Sequence, residues 1–297
     1  MKAINCKKKN ASFTLIELLV VIVIIGILAG VIMISTSSSI DKASVTKLKV
    51  FEESVSNNLA ANMVSRWKMD EIISTNKISD TWGSNTGTLY GTNGLPQVKT
   101  SGCVTGNCLA FDGIDDYIEI TDSQEMRMVH GGTITAWINP KTCGENGWGR
   151  LIDKSVSTSA GNGYMIWFEL NYIKFQTSGS SHLLSSSSLK FNSWQFVTVS
   201  FNNFGRRIYI DGVNVTASGG SDTLLPPDIA GVVSIGNRAS ASDRTFDGEI
   251  DDVRIYDAAL SIGQIKQKYV AGLNSLLSSG NILKEDYNQR ISSLSEK

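Results

Sequence analysis

A mainly β chain is expected, an antiparallel sandwich standing behind a long N-terminal helix and ahead of short C-terminal helices. Three features of the 297 residues predict it. Leu18 to Ile34 is an unbroken apolar run. From about residue 64, short segments of alternating apolar and polar side chains lie between clusters of Gly, Asn, Asp and Ser, as sandwich strands do. After Leu260 the apolar residues return to helical spacing. The expected divisions are a basic leader over 1–12, a helix over 13–63 that spans the membrane over about 13–34, a sandwich over 64–260 and a helical extension over 261–297.

The apolar run has the minimum length of a bilayer-spanning helix. Lys7, Lys8 and Lys9 precede it, which places the amino end in the cytoplasm and the carboxyl end outside. An ordinary secretory signal fits poorly, because Ser35-Thr36-Ser37-Ser38-Ser39-Ile40 offers no clear small-x-small cleavage site. Glu17 also argues for a special role, since a carboxylate at the start of a lipid-facing helix is expensive unless a partner neutralises it. Beyond the membrane, Ile40, Leu48, Phe51, Val55, Leu59 and Met63 form one apolar stripe at helical spacing.

Phe13-Thr14-Leu15-Ile16-Glu17-Leu18 behind a Lys-rich leader resembles the N-terminus of type IV pilins and of type II secretion pseudopilins. The resemblance implies that a prepilin peptidase cuts after Ser12 and methylates the new amino group of Phe13. It also implies that Glu17 pairs with that amino group on a neighbouring subunit during assembly in the inner membrane. Ser12 stands where the family usually has Gly, and Ile34 where many members have a kinking Pro, so this helix is expected to run straighter.

Candidate strands run over 133–138, 164–170, 172–177, 195–202, 207–210, 213–216, 232–236 and 249–256. Asp211-Gly212 between two of them reads as a type I′ hairpin turn, which needs positive φ at both central residues. Phrases in this region, in order, resemble the LamG-like jelly-roll family within the concanavalin A-like lectin and glucanase superfamily. They include Trp67 to Glu71 as an opening strand, Gly87-Thr88-Leu89 as a first loop, Leu109 to Ile120, the Ile208 to Val213 hairpin and Phe246 to Leu260. The resemblance covers roughly 64–260. It implies a concanavalin A-like antiparallel β-sandwich whose first and last strands are adjacent, used mostly to recognise sugars or proteins.

The superfamily contains glycoside hydrolases, which need two carboxyl groups about 5 Å apart for retaining cleavage. Glu249-Ile250-Asp251-Asp252-Val253-Arg254 keeps the first two acids of the laminarinase-like E-x-D-x-x-E strand but has Arg254 at the third, so no enzyme is expected. Val253 and Ile255 are expected to point inward with Asp251 on their face, in need of a partner. Two readings of that acid stand. Asp70, Glu71, Asp251 and Asp252 hold a structural calcium where first and last strands meet, hard cations taking clustered oxygens, or they are hydrogen-bonded acids without metal. Asp112, Asp115 and Asp116 are also acid-rich and loop-like, without the order of an EF-hand.

His130 and His182 stand far apart without metal spacing, and no Gly-rich phosphate loop is present, so zinc hydrolysis and nucleotide use lack support. Outside the membrane Cys103 and Cys108 are the favoured disulfide pair, free thiols being the alternative, and Cys143 is left odd. Trp148 and Trp82, among loop residues, are the candidates for stacking on a ligand. Ser178 to Ser181 and Ser185 to Ser188 read as solvated loops. After Leu260, Ile262, Ile265, Tyr269, Leu273 and Leu276 and then Tyr287, Ile291 and Leu294 read as two helices separated at Gly280, with Lys284, Glu285, Asp286 and Arg290 facing solvent.

Lys plus Arg number 27 and Asp plus Glu 28, a net charge of −1. Removing Lys2, Lys7, Lys8 and Lys9 with the leader leaves 23 bases against 28 acids, a net −5. That balance disfavours nucleic acid as the main partner of the exposed part. The expected protein is a type IV pilin-like minor or tip subunit that displays a LamG-like domain toward a surface glycan or protein. A type II secretion pseudopilin is the alternative, with a membrane-tethered glycan hydrolase behind it.

Overall fold

The structure is a computed structural model and describes residues 60–155, 163–217, 223–239 and 243–294. Ser12, Phe13, Glu17 and nearly all of the helix expected over 13–63 lie outside these residues. The compact unit that contains the described part runs from Phe51 to Lys297.

In chain order the strands are β1 (Met63–Trp67), β2 (Lys77–Ile78), β3 (Gly87–Tyr90), β4 (Gln97–Lys99), β5 (Cys108–Asp112) and β6 (Tyr117–Ile120). Then come β7 (Gly132–Pro140), β8 (Arg150–Asp153), β9 (Tyr164–Glu169), β10 (Tyr172–Thr177) and β11 (Leu183–Ser188). The last are β12 (Gln195–Asn202), β13 (Gly205–Ile210), β14 (Val213–Asn214), β15 (Val233–Ile235) and β16 (Asp247–Tyr256). Two helices close the chain, α1 (Ile262–Ser278) and α2 (Lys284–Ser293).

The strands form two eight-stranded sheets. The first runs β14-β13-β12-β7-β16-β5-β4, with β1 also on β16; the second runs β11-β10-β9-β8-β15-β6-β3-β2. First and last strands are therefore adjacent, Arg66 opposite Arg254 and Trp67 opposite Val253. Alternation dictates the packing, since every second side chain of a strand faces the same way. Ile118, Ile120, Ile166, Phe168, Ile173, Phe175, Val233 and Ile235 of the second sheet meet Ile134, Ala136, Val197, Val199, Ile208 and Ile250 of the first in one buried core.

A second core lies on the other face of the first sheet. There Trp137, Phe196, Tyr209 and Tyr256 are covered by Ile265, Tyr269, Leu273 and Leu276 of α1, by Cys103 and Val104 of the loop before β5 and by Cys108 at the start of that strand. Gly272 makes the close approach: a Cβ there would meet the Trp137 ring at 2.5 Å. Helix α1 starts on a capping box between Ser261 and Gln264, which satisfies orphan N-terminal amides. Its stripe of Ile265, Tyr269, Leu273 and Leu276 is all buried. Arg290 of α2, expected toward solvent, instead donates to the Trp194 carbonyl at 2.8 Å.

Several sequence expectations shift locally. Met63 belongs to β1, behind a short 3-10 turn at Ala60–Asn62, so the strand begins one residue before the expected boundary. The opening strand ends at Trp67 rather than running through Glu71, and Met69 takes a positive φ of 62°. Gly87, Thr88 and Leu89 form β3, not a loop, because the segment pairs on both sides, with β2 and with β6. Ser185–Ser188 belong to β11, and buried Ser185 accepts a 3.0 Å bond from the Ile173 amide. In the β13–β14 hairpin Asp211 and Gly212 have φ of 53° and 74°, as a type I′ turn requires.

Candidate ligand-binding face

With α1 over the first sheet, the second sheet keeps an outward face of its own. The core takes one side of each strand, and cross-strand register places the opposite set together. Lys174 of β10 pairs with Trp167 of β9, and Trp167 with Arg150 of β8. One step along, Gln176 pairs with Met165, Met165 with Asp153, Asp153 with Ser234 and Ser234 with Glu119. Polar groups thus cross five strands on the side away from the core.

At the centre the Arg150 guanidinium sits 5.0 Å from the centroid of the Trp167 ring. The His182 ring meets the same indole edge-on at 4.9 Å. Arg150 Nε donates to Asp153 at 3.1 Å. Burial pushes the Asp153 carboxyl up and the Arg150 guanidinium down, each opposed by its partner's charge. Lys174 pairs with Glu169. At the rim Trp148 is 39% exposed and Tyr172 37%. The Trp148 ring centre lies 6.0 Å from Lys174 Nζ.

Four polar atoms of this face are buried with no hydrogen-bond partner among the described residues: Arg150 Nη1, Trp167 Nε1, Gln176 Oε1 and Ser234 Oγ. An unmet buried donor or acceptor costs roughly 1–3 kcal/mol, so these four are places where a partner would be favourable.

Of the residues singled out in the sequence, Trp148 lies on this face. Trp82, 46% exposed, does not. It sits in the loop between β2 and β3, wound around Asp80, whose carboxylate accepts from the amides of Arg66, Trp82, Gly83 and Asn85. Sequence reasoning missed Arg150, Lys174 and Trp167. Lys174 between Ile173 and Phe175 is a polar residue in an alternating strand, and that outward parity was the available signal. β8 is four residues long and carried none.

Among the described residues, the acids near the first and last strands do not gather three oxygens in one place as Asp112, Asp115 and Asp116 do. A bulge in β16 places Asp252 at φ 46° and shifts the register between Asp251 and Arg254. It reverses the parity of the strand. Asp251 therefore lies opposite Trp137 on the face away from Val253 and Ile255, not with them as expected. Its Oδ2 accepts from the amides of Val104 and Thr105 at 2.9 and 3.0 Å. Burial, then the Asp252 charge, pushes its carboxyl well above the usual range against those two bonds. Burial also works on Asp252, but the guanidiniums of Arg254 and Arg66 more than offset it and hold that carboxyl below its usual value. Asp70 Oδ1 accepts from the Asn107 amide at 2.9 Å. Asp251 Oδ2 and Asp70 Oδ1 are thus held by protein amides and Asp252 by guanidiniums, while Asp251 Oδ1 is buried without a partner among the described residues.

Asp112, Asp115 and Asp116 bring one oxygen each within 4.8 Å of the others. Burial first, then Asp112 and Asp115, raises Asp116 to about 6. Glu249 is held by Lys99 at 2.7 Å and by Asn139 at 2.6 Å, while Arg254 is bound to Asp252. Glu249 and Arg254 thus offer no acid pair. Cys103 and Cys108 form a disulfide with Cα atoms 5.5 Å apart, and Cys143 is a free thiol beside Asn171.

The family model for the concanavalin A-like lectin/glucanases superfamily matches residues 112–266, more than half of the chain. The chain belongs to this superfamily. Residues 7–33 match the prokaryotic N-terminal methylation motif, so the superfamily domain is fused to a pilin-type N-terminus. No curated protein matches the sequence. Among solved structures, the binding domain of Paraclostridial mosquitocidal protein 1 is similar at 16% identity and a TM-score of 0.55, over 73% of this chain and 53% of that one. The binding domain of botulinum neurotoxin DC, solved in complex with SialylT, matches at 16% and 0.54, over 72% and 52%. A Trypanosoma rangeli sialidase in complex with sialic acid matches at 13% and 0.55, over 76% of this chain and 38% of that one. The chain spans about half or less of each of these, and at such identities they share its fold.

Proposed function

We propose that this protein is a pilin-like subunit, processed at Phe13 and assembled through its N-terminal helix, that displays the superfamily domain as a recognition head on the cell surface. The observation that carries the reading is the joining, in one chain, of the N-terminal methylation motif to a sandwich whose outward face holds exposed Trp148 and Tyr172 over unmet polar groups. A large aromatic ring beside hydrogen-bonding groups suits a sugar, which has apolar C–H faces and polar edges. Catalysis and calcium form no part of the proposal.

The partners are other pilin subunits, the prepilin peptidase and the inner membrane, with a glycan at the exposed head. A large head suits a minor or tip subunit. The test is to look for the chain in sheared cell-surface filaments and to compare adhesion of wild-type cells with cells carrying Trp148→Ala. Filaments that contain the chain, with adhesion lost in the variant, support the proposal. Loss of secreted enzymes on deletion, with no filament, assigns the chain to a secretion pseudopilus instead.

A further inference from the structure

We infer that the outward face of the second sheet selects carboxylate-bearing sugars, with Arg150 and Trp167 presenting donors to the acid group and Trp148 and Tyr172 flanking the ring. The inference rests on the proposal that this face recognises a glycan.

Two observations support the acid. The first is the kind of unmet group at the centre. Arg150 Nη1 and Trp167 Nε1 are both donors, they belong to residues paired directly across β8 and β9, and both side chains are more than nine-tenths buried. Two adjacent donors without acceptors call for an acceptor with several lone pairs, and a carboxylate has about four. Gln176 Oε1 is an acceptor and Ser234 Oγ both donates and accepts, which suits ring hydroxyls rather than a second anion.

The second observation is charge. Arg150 feels Asp153, Arg238 and Arg244, and His182 feels Lys174, Glu169, Arg150 and Arg206. Asp243 joins Arg238 at 3.1 Å and Arg244 at 3.6 Å. On this face the cations Arg150, Lys174, Arg238 and Arg244 stand with the acids Asp153, Glu169, Asp243 and Glu119, and buried Arg206 of β13 lies near His182. The face is thus locally near neutral on a mature chain of net −5, so it opposes an anion less than the rest of the molecule does.

The experiment compares a linear tetramer of galacturonic acid with its galactose counterpart, which differs only in the carboxylates. Binding to the detergent-solubilised full chain is read by tryptophan fluorescence and by sugar-observed NMR, at low and at high salt. Arg238→Gln and Lys174→Gln reduce the cationic charge without touching buried Arg150, and Trp148→Ala removes the stacking ring. The acidic tetramer is expected to bind at least about tenfold more tightly than the neutral one, an advantage that falls with salt and in the two charge variants. Equal affinity for both sugars, lost in Trp148→Ala, would overturn the acid selectivity and leave the glycan reading standing. Binding of neither sugar would overturn both.

Discussion

Gly272 of α1 rests against Trp137 of β7 so closely that a single added carbon would sit 2.5 Å from the indole ring. This contact fixes what the face of the first sheet can do. A helix seated on Trp137, Phe196 and Tyr209 turns that face into a second core, and the sheet that remains open is the other one.

Substituting Gly272 by Val should therefore cost about 1–3 kcal/mol or more through overpacking, even though Gly is the poorer helix former. At Gly263, at the exposed start of the same helix, an added Cβ would come no nearer than 4.0 Å to a neighbour, the Ser261 hydroxyl. Gly263→Ala should be neutral or stabilising by up to about 1 kcal/mol. Urea unfolding of the two variants checks the pair. A Gly272→Val protein as stable as wild type would mean that the helix does not sit on Trp137.

The disulfide loop carries the amides that hold Asp251, so it joins covalent and electrostatic order in one place. Replacing Cys103 and Cys108 with Ser should lower stability by about 2 kcal/mol, the chain-entropy value for so short a loop. Thermal unfolding with and without reductant is the measurement, and only the wild type should respond to the reductant.

Asp211 in the β13–β14 turn gives a pH dependence. Burial first, against a bond from the Phe196 amide and the charges of Arg290 and Lys190, raises it from 3.8 to about 6. The native state then binds the proton more tightly than the unfolded chain. The stability so gained is complete below about pH 4 and is lost as pH rises through about 6. At ~1.4 kcal/mol per pKa unit the loss is of order 2–3 kcal/mol. Asp122 acts in the opposite sense. Burial would raise it, but Arg127 and Lys154 hold it at about 2, so its contribution disappears only as pH falls below 3.8. Between pH 4.5 and 7, Asp211→Asn should flatten the decline in unfolding free energy and still accept the Phe196 amide bond. An identical slope in wild type and variant would contradict the assignment.

Trp148 and Trp82 are both exposed, but only Trp148 lies on the candidate face. Trp148→Ala and Tyr172→Ala should each weaken glycan binding about tenfold while leaving the melting temperature nearly unchanged. Trp82→Ala should leave binding intact. Equal losses from Trp148→Ala and Trp82→Ala would remove the second sheet's outward face as the site.

Much of this fold can be read from the chain because alternation and turn chemistry speak locally. β10 and β12 begin and end where their alternating patterns do, and Asp211-Gly212 marks its own turn. β2, β4 and β8 are two to four residues long, and so short a run has no period to detect. β11 hides for another reason, because Ser185 earns its burial by a bond to Ile173 rather than by apolarity. The site was legible only in part. Trp148 could be found from its loop, whereas Arg150, Trp167 and Ser234 become neighbours only through the register of β8, β9 and β15. Asp251 misleads for a related reason, since the bulge at Asp252 reverses a parity that the sequence alone leaves regular.

The central claim is that this chain is matured as a filament subunit with its recognition head outside the cell. Mass spectrometry of the N-terminus of the mature protein tests it most directly. A chain that starts at Phe13 with a methylated amino group is the predicted result. A mature chain that starts beyond residue 34, freed of the apolar helix, would contradict it.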